Sequence, residues 1–247
     1  MKKTLFLLYG IVSYFLFFGS FLYAIGFIGN LYVPKTIDGI PSVSLPVAIL
    51  INGSLLLLFA LQHSIMARPA FKAWWTKIIP EPLERSTYVL LATLCLLLLM
   101  WLWQPMGGVV WSVKSHTAAV ILTVAYAAGW LIVLLSTFMI NHFDLFGLRQ
   151  VWMYYQGKKY EHLRFRVPLF YKFVRHPLYL GWLIVFWATP VMTAAHLLFA
   201  VLTTGYIFTA IQFEENDLIK TFGEKYRNYR RWVPMIIPFP KKKFIRK

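Results

Sequence analysis

The segment Arg175-His176-Pro177-Leu178-Tyr179-Leu180-Gly181 places a guanidinium, an imidazole and a phenol within seven positions. Pro177 suits the first turn of a helix, where its missing N–H costs nothing. The free N–H groups of such a start, and its positive dipole end, favour an anion such as a carboxylate. Arg175 adds a fork suited to the same anion, and Gly181 lets a ligand or another helix approach the backbone. Further along, Phe213-Glu214-Glu215-Asn216-Asp217 offers two adjacent carboxylates, the complement of a cation. The plainer alternative is that Arg175 pairs with Glu214 or Glu215 and simply closes a turn. Leu218, Phe222, Tyr226 and Tyr229 then recur at helical spacing among charged residues, which predicts one amphipathic helix at a membrane surface.

The remaining reactive residues are scattered. His63 and His142 fall near the ends of apolar runs, His162 in a basic loop, His116 in another loop and His196 near Pro190. Haem or metal needs histidine pairs at matched depth, and no HxxxH or HxxH spacing occurs, so no metal site is expected. The one cysteine, Cys95, excludes an internal disulfide or CxxC pair. No Walker loop, GxGxxG or GxSxG is present, which leaves nucleotide hydrolysis and serine hydrolase chemistry without apparatus.

The elements that must position these residues are membrane helices. Hydrophobic residues make up 59% of the 247 and charged ones 14%, against about half and a quarter in soluble domains. Five stretches hold no Asp, Glu, Lys or Arg: 4–34, 39–67, 86–113, 115–143 and 176–213. Each exceeds the roughly 20 residues a helix needs to cross a bilayer. The N-terminal run is too long for a signal peptide core and is expected to be a retained anchor helix. Charges that would mark an ion pathway are missing from all five, which argues against a pump. The last stretch has 38 residues, nearly twice a span, and is expected to fold back at Pro190. A hairpin there puts 23 of the 25 basic residues on one side, whereas a single span splits them almost evenly. The positive-inside rule chooses the hairpin, with both termini cytoplasmic. The net charge of +16 therefore speaks to anionic lipids rather than to nucleic acid.

The expected fold is an all-α integral membrane protein of about six helices, near 5–29, 45–65, 87–104, 117–140, 178–192 and 195–213. The last two form a short hairpin, followed by the cytoplasmic amphipathic helix. Residues 1–140 are expected to form a four-helix bundle, and 141–247 the functional core within one polytopic domain. The terminal run 241–247, rich in lysine, suits a membrane-surface anchor or a solvated tail.

Arg-His-Pro-x-Tyr-x-Gly at 175–181, Glu-Glu at 214–215, Phe-Gly-x-x-Tyr-x-x-Tyr at 222–229 and Val-Pro at 233–234 together resemble the C-terminal signature of the isoprenylcysteine carboxyl and phospholipid methyltransferases. Tyr9-Gly10, residues 60–69, residues 82–88 and His142 to Gln150 are similar to a narrower branch, the bacterial methanethiol S-methyltransferases. The resemblance implies S-adenosylmethionine as methyl donor, a small thiol as acceptor and the bacterial inner membrane as location. It implies a cofactor pocket lined by Arg175, His176, Pro177, Tyr179, Gly181, Glu214, Glu215, Tyr226 and Tyr229. Because an alkanethiol ionises well above neutral pH, a base or a thiolate-favouring charge is expected. His142 is the expected base, with Arg149 and Gln150 beside it and His63 or Arg85 near. A lipid acceptor, or a non-enzymatic membrane protein or transporter keeping the hairpin as scaffold, are the alternatives.

Overall fold

The computed structural model describes residues 1–161 and 163–238; His162 and the basic run 241–247 lie outside the described residues. The chain forms α1 (Lys2–Gly29), α2 (Leu45–Ala67), α3 (Pro69–Trp75), α4 (Glu81–Leu102), β1 (Val109–Ser112), α5 (His116–Ile140), α6 (His142–Leu145), α7 (Leu148–Tyr155), α8 (Pro177–Trp187), β2 (Val191–Thr193), α9 (Ala194–Phe222) and α10 (Glu224–Trp232). Among the described residues α1, α2, α4, α5 and α9 are long and apolar enough to cross a bilayer. This is an integral membrane protein, almost wholly helical.

The sixth expected helix is α8, and it has only 11 residues. At 1.5 Å per residue that is about 16 Å, half the hydrocarbon thickness. Its partner α9 is instead 29 residues long and runs straight through Glu214 and Glu215. A hairpin of two equal short arms is thus replaced by one short and one long arm. The charge-free stretch ends at Phe213, but nothing in Glu214 to Phe222 breaks a helix, so the helix outlasts the apolar run. The turn between the arms holds β2, which pairs antiparallel with β1 from the loop after α4. Thr193 hydrogen-bonds Asp38 in the loop after α1. Three loops therefore meet at the end of the bundle opposite the functional segments, as a returning hairpin requires.

The single amphipathic helix expected around Leu218 to Tyr229 is two helices. Gly223 breaks it at φ 56°, ψ −130°, a conformation that only glycine adopts without strain. The chain turns there, and α10 carries Tyr226 and Tyr229 back toward the start of α8.

That start is fixed from the other side by α5. Gly181 of α8 and Gly129 of α5 face one another so closely that a Cβ on Gly181 would lie 2.9 Å from the Gly129 carbonyl oxygen. A Cβ on Gly129 would lie 3.0 Å from that of Gly181. Around this crossing Trp130 and Trp182 meet edge to face, and Phe21 of α1 joins them.

Candidate active site

The Arg-His-Pro segment, the glutamate pair and the end of α10 converge on one buried ion cluster. Arg175 donates from Nε to Glu215 Oε1 at 2.6 Å and from a terminal nitrogen to the Val233 and Arg230 carbonyls. Its backbone N–H bonds the Pro234 carbonyl at 2.8 Å, and that of His176 bonds the Met235 carbonyl. His176 Nε2 stands 3.1 Å from Glu215 Oε1, and Arg230 Nε 3.3 Å from Glu215 Oε2. Glu215 is only 3% exposed and is held by two guanidiniums and an imidazole. Buried charge without such partners would be prohibitively costly. The cluster ties α8, α9 and the segment after α10 into one unit.

Glu214 is built differently. Successive helical residues point about 100° apart, so the neighbour of a buried carboxylate must face elsewhere. Its side chain is 43% exposed, stands 3.9 Å from His176 Nδ1 and faces the Tyr179 hydroxyl. Tyr226, 2% exposed, keeps a hydroxyl with no hydrogen-bond partner among the described residues. Burial, with Glu215 and Glu214 nearby, pushes its ionisation well above the usual phenol value. Tyr229 donates to the Tyr171 carbonyl at 2.6 Å, and Phe165 packs on the rings of Phe222, Tyr226 and Tyr229. A half-open carboxylate, an orphaned buried hydroxyl and aromatic walls fit a ligand that carries a cation and a planar ring. S-adenosylmethionine has both. Arg175 directs Nε and one terminal nitrogen to partners within the protein, and Pro177 and Gly181 are buried in the helix start and the α5 crossing.

A second polar cluster adjoins the first, set between α2, α4, α8 and α9. Tyr88 places its hydroxyl 3.0 Å from both ring nitrogens of His63, whose ring stacks on Phe59. Ser64 and Tyr206 share a 3.1 Å hydrogen bond. Tyr206 and Tyr88 both lie within electrostatic reach of Tyr179, which itself faces Glu214. Arg68 closes this region through Asp217 at 2.8 Å, and Arg85 lies over the Tyr88 ring. Ser64 and Tyr88 lie in segments that carry the family resemblance but had no role assigned from sequence, and Tyr206 was not singled out, because the spans stood out only by their lack of charge. Neutral hydroxyls at one end of otherwise leucine-rich helices were the available signal.

The expected catalytic loop residues occupy separate settings. Asn141 ends α5 and caps α6 by accepting the Asp144 N–H, which turns His142 back under α5. Its Nδ1 meets Thr137 Oγ1 at 2.8 Å and its Nε2 the Tyr14 hydroxyl at 2.9 Å. Phe138 stacks on the ring at 4.2 Å and Phe146 meets it edge-on. Burial lowers the pKa of His142. Arg149 bonds Asp144 at 2.8 Å and the Glu161 carbonyl, while Gln150 bonds the Asp144 carbonyl. Tyr160, also on Asp144, is pushed up to about 12 by burial and by that carboxylate. Arg85 donates to the Leu145 carbonyl, joining α4 to this loop.

The chain is a polytopic membrane protein whose polar groups gather at one end of an apolar bundle. The chain is 56% identical to a methanethiol S-methyltransferase of Crocosphaera subtropica, over 98% of its own length and 95% of that protein. It is 51% identical to the methanethiol S-methyltransferase of Mycobacterium tuberculosis, over 97% of its own length and 98% of that protein. Nurim of Rattus norvegicus is 33% identical over 66% of the chain. No family model and no solved structure matches. The chain belongs to the methanethiol S-methyltransferase family.

Proposed function

We propose that the protein methylates methanethiol to dimethyl sulfide with S-adenosylmethionine, at the cytoplasmic face of a bacterial inner membrane. The observation that carries this reading is near-full-length similarity to methanethiol S-methyltransferases, on a chain whose glutamate pair divides into a buried and a half-open carboxylate. S-adenosylmethionine would supply the electrophilic methyl group. Glu214 would hold its cationic end, Tyr226 would donate to one of its acceptors, and Tyr179 and Tyr229 would wall the pocket. Arg175, His176 and Glu215 keep α8, α9 and the α10 segment in register, so the donor and the thiol are aligned and water is excluded.

Residues 141–247 serve as the cofactor core, and the helices within 1–140 contribute the wall that faces the thiol. Both termini lie in the cytoplasm, supported by the basic loops at the site's end of the bundle. His142, fixed by hydrogen bonds at both ring nitrogens, positions the loop after α5, with Arg149 and Gln150 bracing Asp144 beside it.

Titration calorimetry on protein in lipid vesicles tests the cofactor assignment. S-adenosylmethionine is expected to bind, and Glu214→Gln to weaken binding by about tenfold or more, the usual worth of a charge-assisted contact. A folded wild-type protein that does not bind S-adenosylmethionine would overturn the reading in favour of a scaffold.

A further inference from the structure

The reaction needs an acceptor for the thiol proton, and His142 is badly placed for that task, with Thr137 and Tyr14 on its two nitrogens and a phenyl ring across its face. Another histidine lies in the second polar cluster. His63 sits on α2 with partly accessible surface, five residues before Arg68, and among the described residues the hydrogen-bond partner of its ring is the Tyr88 hydroxyl. A single hydroxyl proton satisfies one nitrogen at a time, so the ring retains capacity for a further partner. Arg85 lies over the ring of Tyr88, the partner of His63, and a guanidinium there favours a thiolate in the same space. From His63 the polar groups continue through Tyr88 and Tyr206 toward Tyr179, which faces Glu214. Phe59 lies against both His63 and Tyr206, an apolar surface that suits a ligand of one methyl and one sulfur.

We infer that His63 is the general base that deprotonates the acceptor thiol, with Tyr88 as the positioning residue that orients its ring. This rests on the methyltransferase reading above. The S–H bond breaks and its proton moves to the free imidazole nitrogen. The electron pair left on sulfur forms the new C–S bond to the donor's methyl carbon, and the donor's C–S pair stays on the departing sulfur. The imidazolium then returns its proton to solvent along the polar end of α2 and α4. Charge balances, because one positive charge leaves the sulfonium and one arrives on His63.

The test compares acceptors that differ only in acidity. Methaneselenol ionises at much lower pH than methanethiol, so near neutral pH it needs no base. His63→Gln is expected to lose about a hundredfold or more in kcat with methanethiol, the usual worth of a general base. With methaneselenol it is expected to stay within about threefold of wild type. Tyr88→Phe should displace the pH profile for methanethiol and leave that for methaneselenol unchanged. Calorimetry with S-adenosylmethionine provides the second readout: both variants should bind it like wild type, which also shows that they fold. Equal losses on both acceptors with binding intact, or full methanethiol turnover by His63→Gln, would overturn the assignment. An inactive wild type would instead count against the function itself.

Discussion

Adjacent glutamates with opposite environments are the most informative feature at the scale of single residues. Glu215 is enclosed by Arg175, His176 and Arg230, so it belongs to the fold. Removing one partner of such a buried pair costs about 3–5 kcal/mol. Glu215→Gln should therefore lower the thermal midpoint in detergent by many degrees, while Glu214→Gln leaves it within a degree or two. His142 makes a second, pH-dependent statement. Its pKa in the fold is depressed below the ordinary value of about 6.5, so the unfolded chain binds the proton more readily. Stability should then be complete above that ordinary value and decline as pH falls from it toward the depressed one. A midpoint series from pH 7.5 to 5 should show this decline, and His142→Gln should flatten it. The family resemblance and its place in the loop after the fourth span made His142 the expected base. The sequence could not show that Thr137 and Tyr14 take both nitrogens, since Tyr14 lies on another helix.

Among the elements, the crossing of α5 and α8 sets the position of the whole site. Gly129 and Gly181 allow a backbone approach that any side chain would block. Gly181→Ala should cost about 1–3 kcal/mol through overpacking and weaken S-adenosylmethionine binding with it, measured by melting and by calorimetry on the same sample. Gly181 was legible as a place of close approach, and its partner proves to be a helix. The fold-back of the last apolar stretch was legible too, because 38 residues cannot lie straight in a bilayer. The unequal arms were not, since helix length follows backbone hydrogen bonding rather than the edge of hydrophobicity. Nor was the pairing of β1 with β2, which joins Val109 to Thr193 across the four intervening helices α5 to α8. Such short strands carry little signal of their own. Gly223, read only as part of a motif, is the break that sends Tyr226 and Tyr229 back over the α8 start.

For the molecule as a whole, charge and chemistry occupy the same end. The +16 that first suggests a polyanion partner resolves into basic loops around α3, α7 and α10, beside the ion cluster and the His63 pair. Reporter fusions that mature only outside the cytoplasm should stay silent at the C-terminus and become active when inserted after Gly107, in the loop before β1. The family signature named in sequence the segments that the structure brings together around Arg175, Glu215 and Tyr226. The proposed acceptor half was harder to see, because its cluster is assembled from α2, α4 and α9, each contributing one or two polar residues. The most direct test of the account is a headspace assay. Purified protein in vesicles is given methanethiol and S-adenosylmethionine carrying a labelled methyl group, with native lipids present. Labelled dimethyl sulfide in the gas phase is the result expected. Label found only in the lipid fraction, or no volatile product from protein that binds the cofactor, would contradict it.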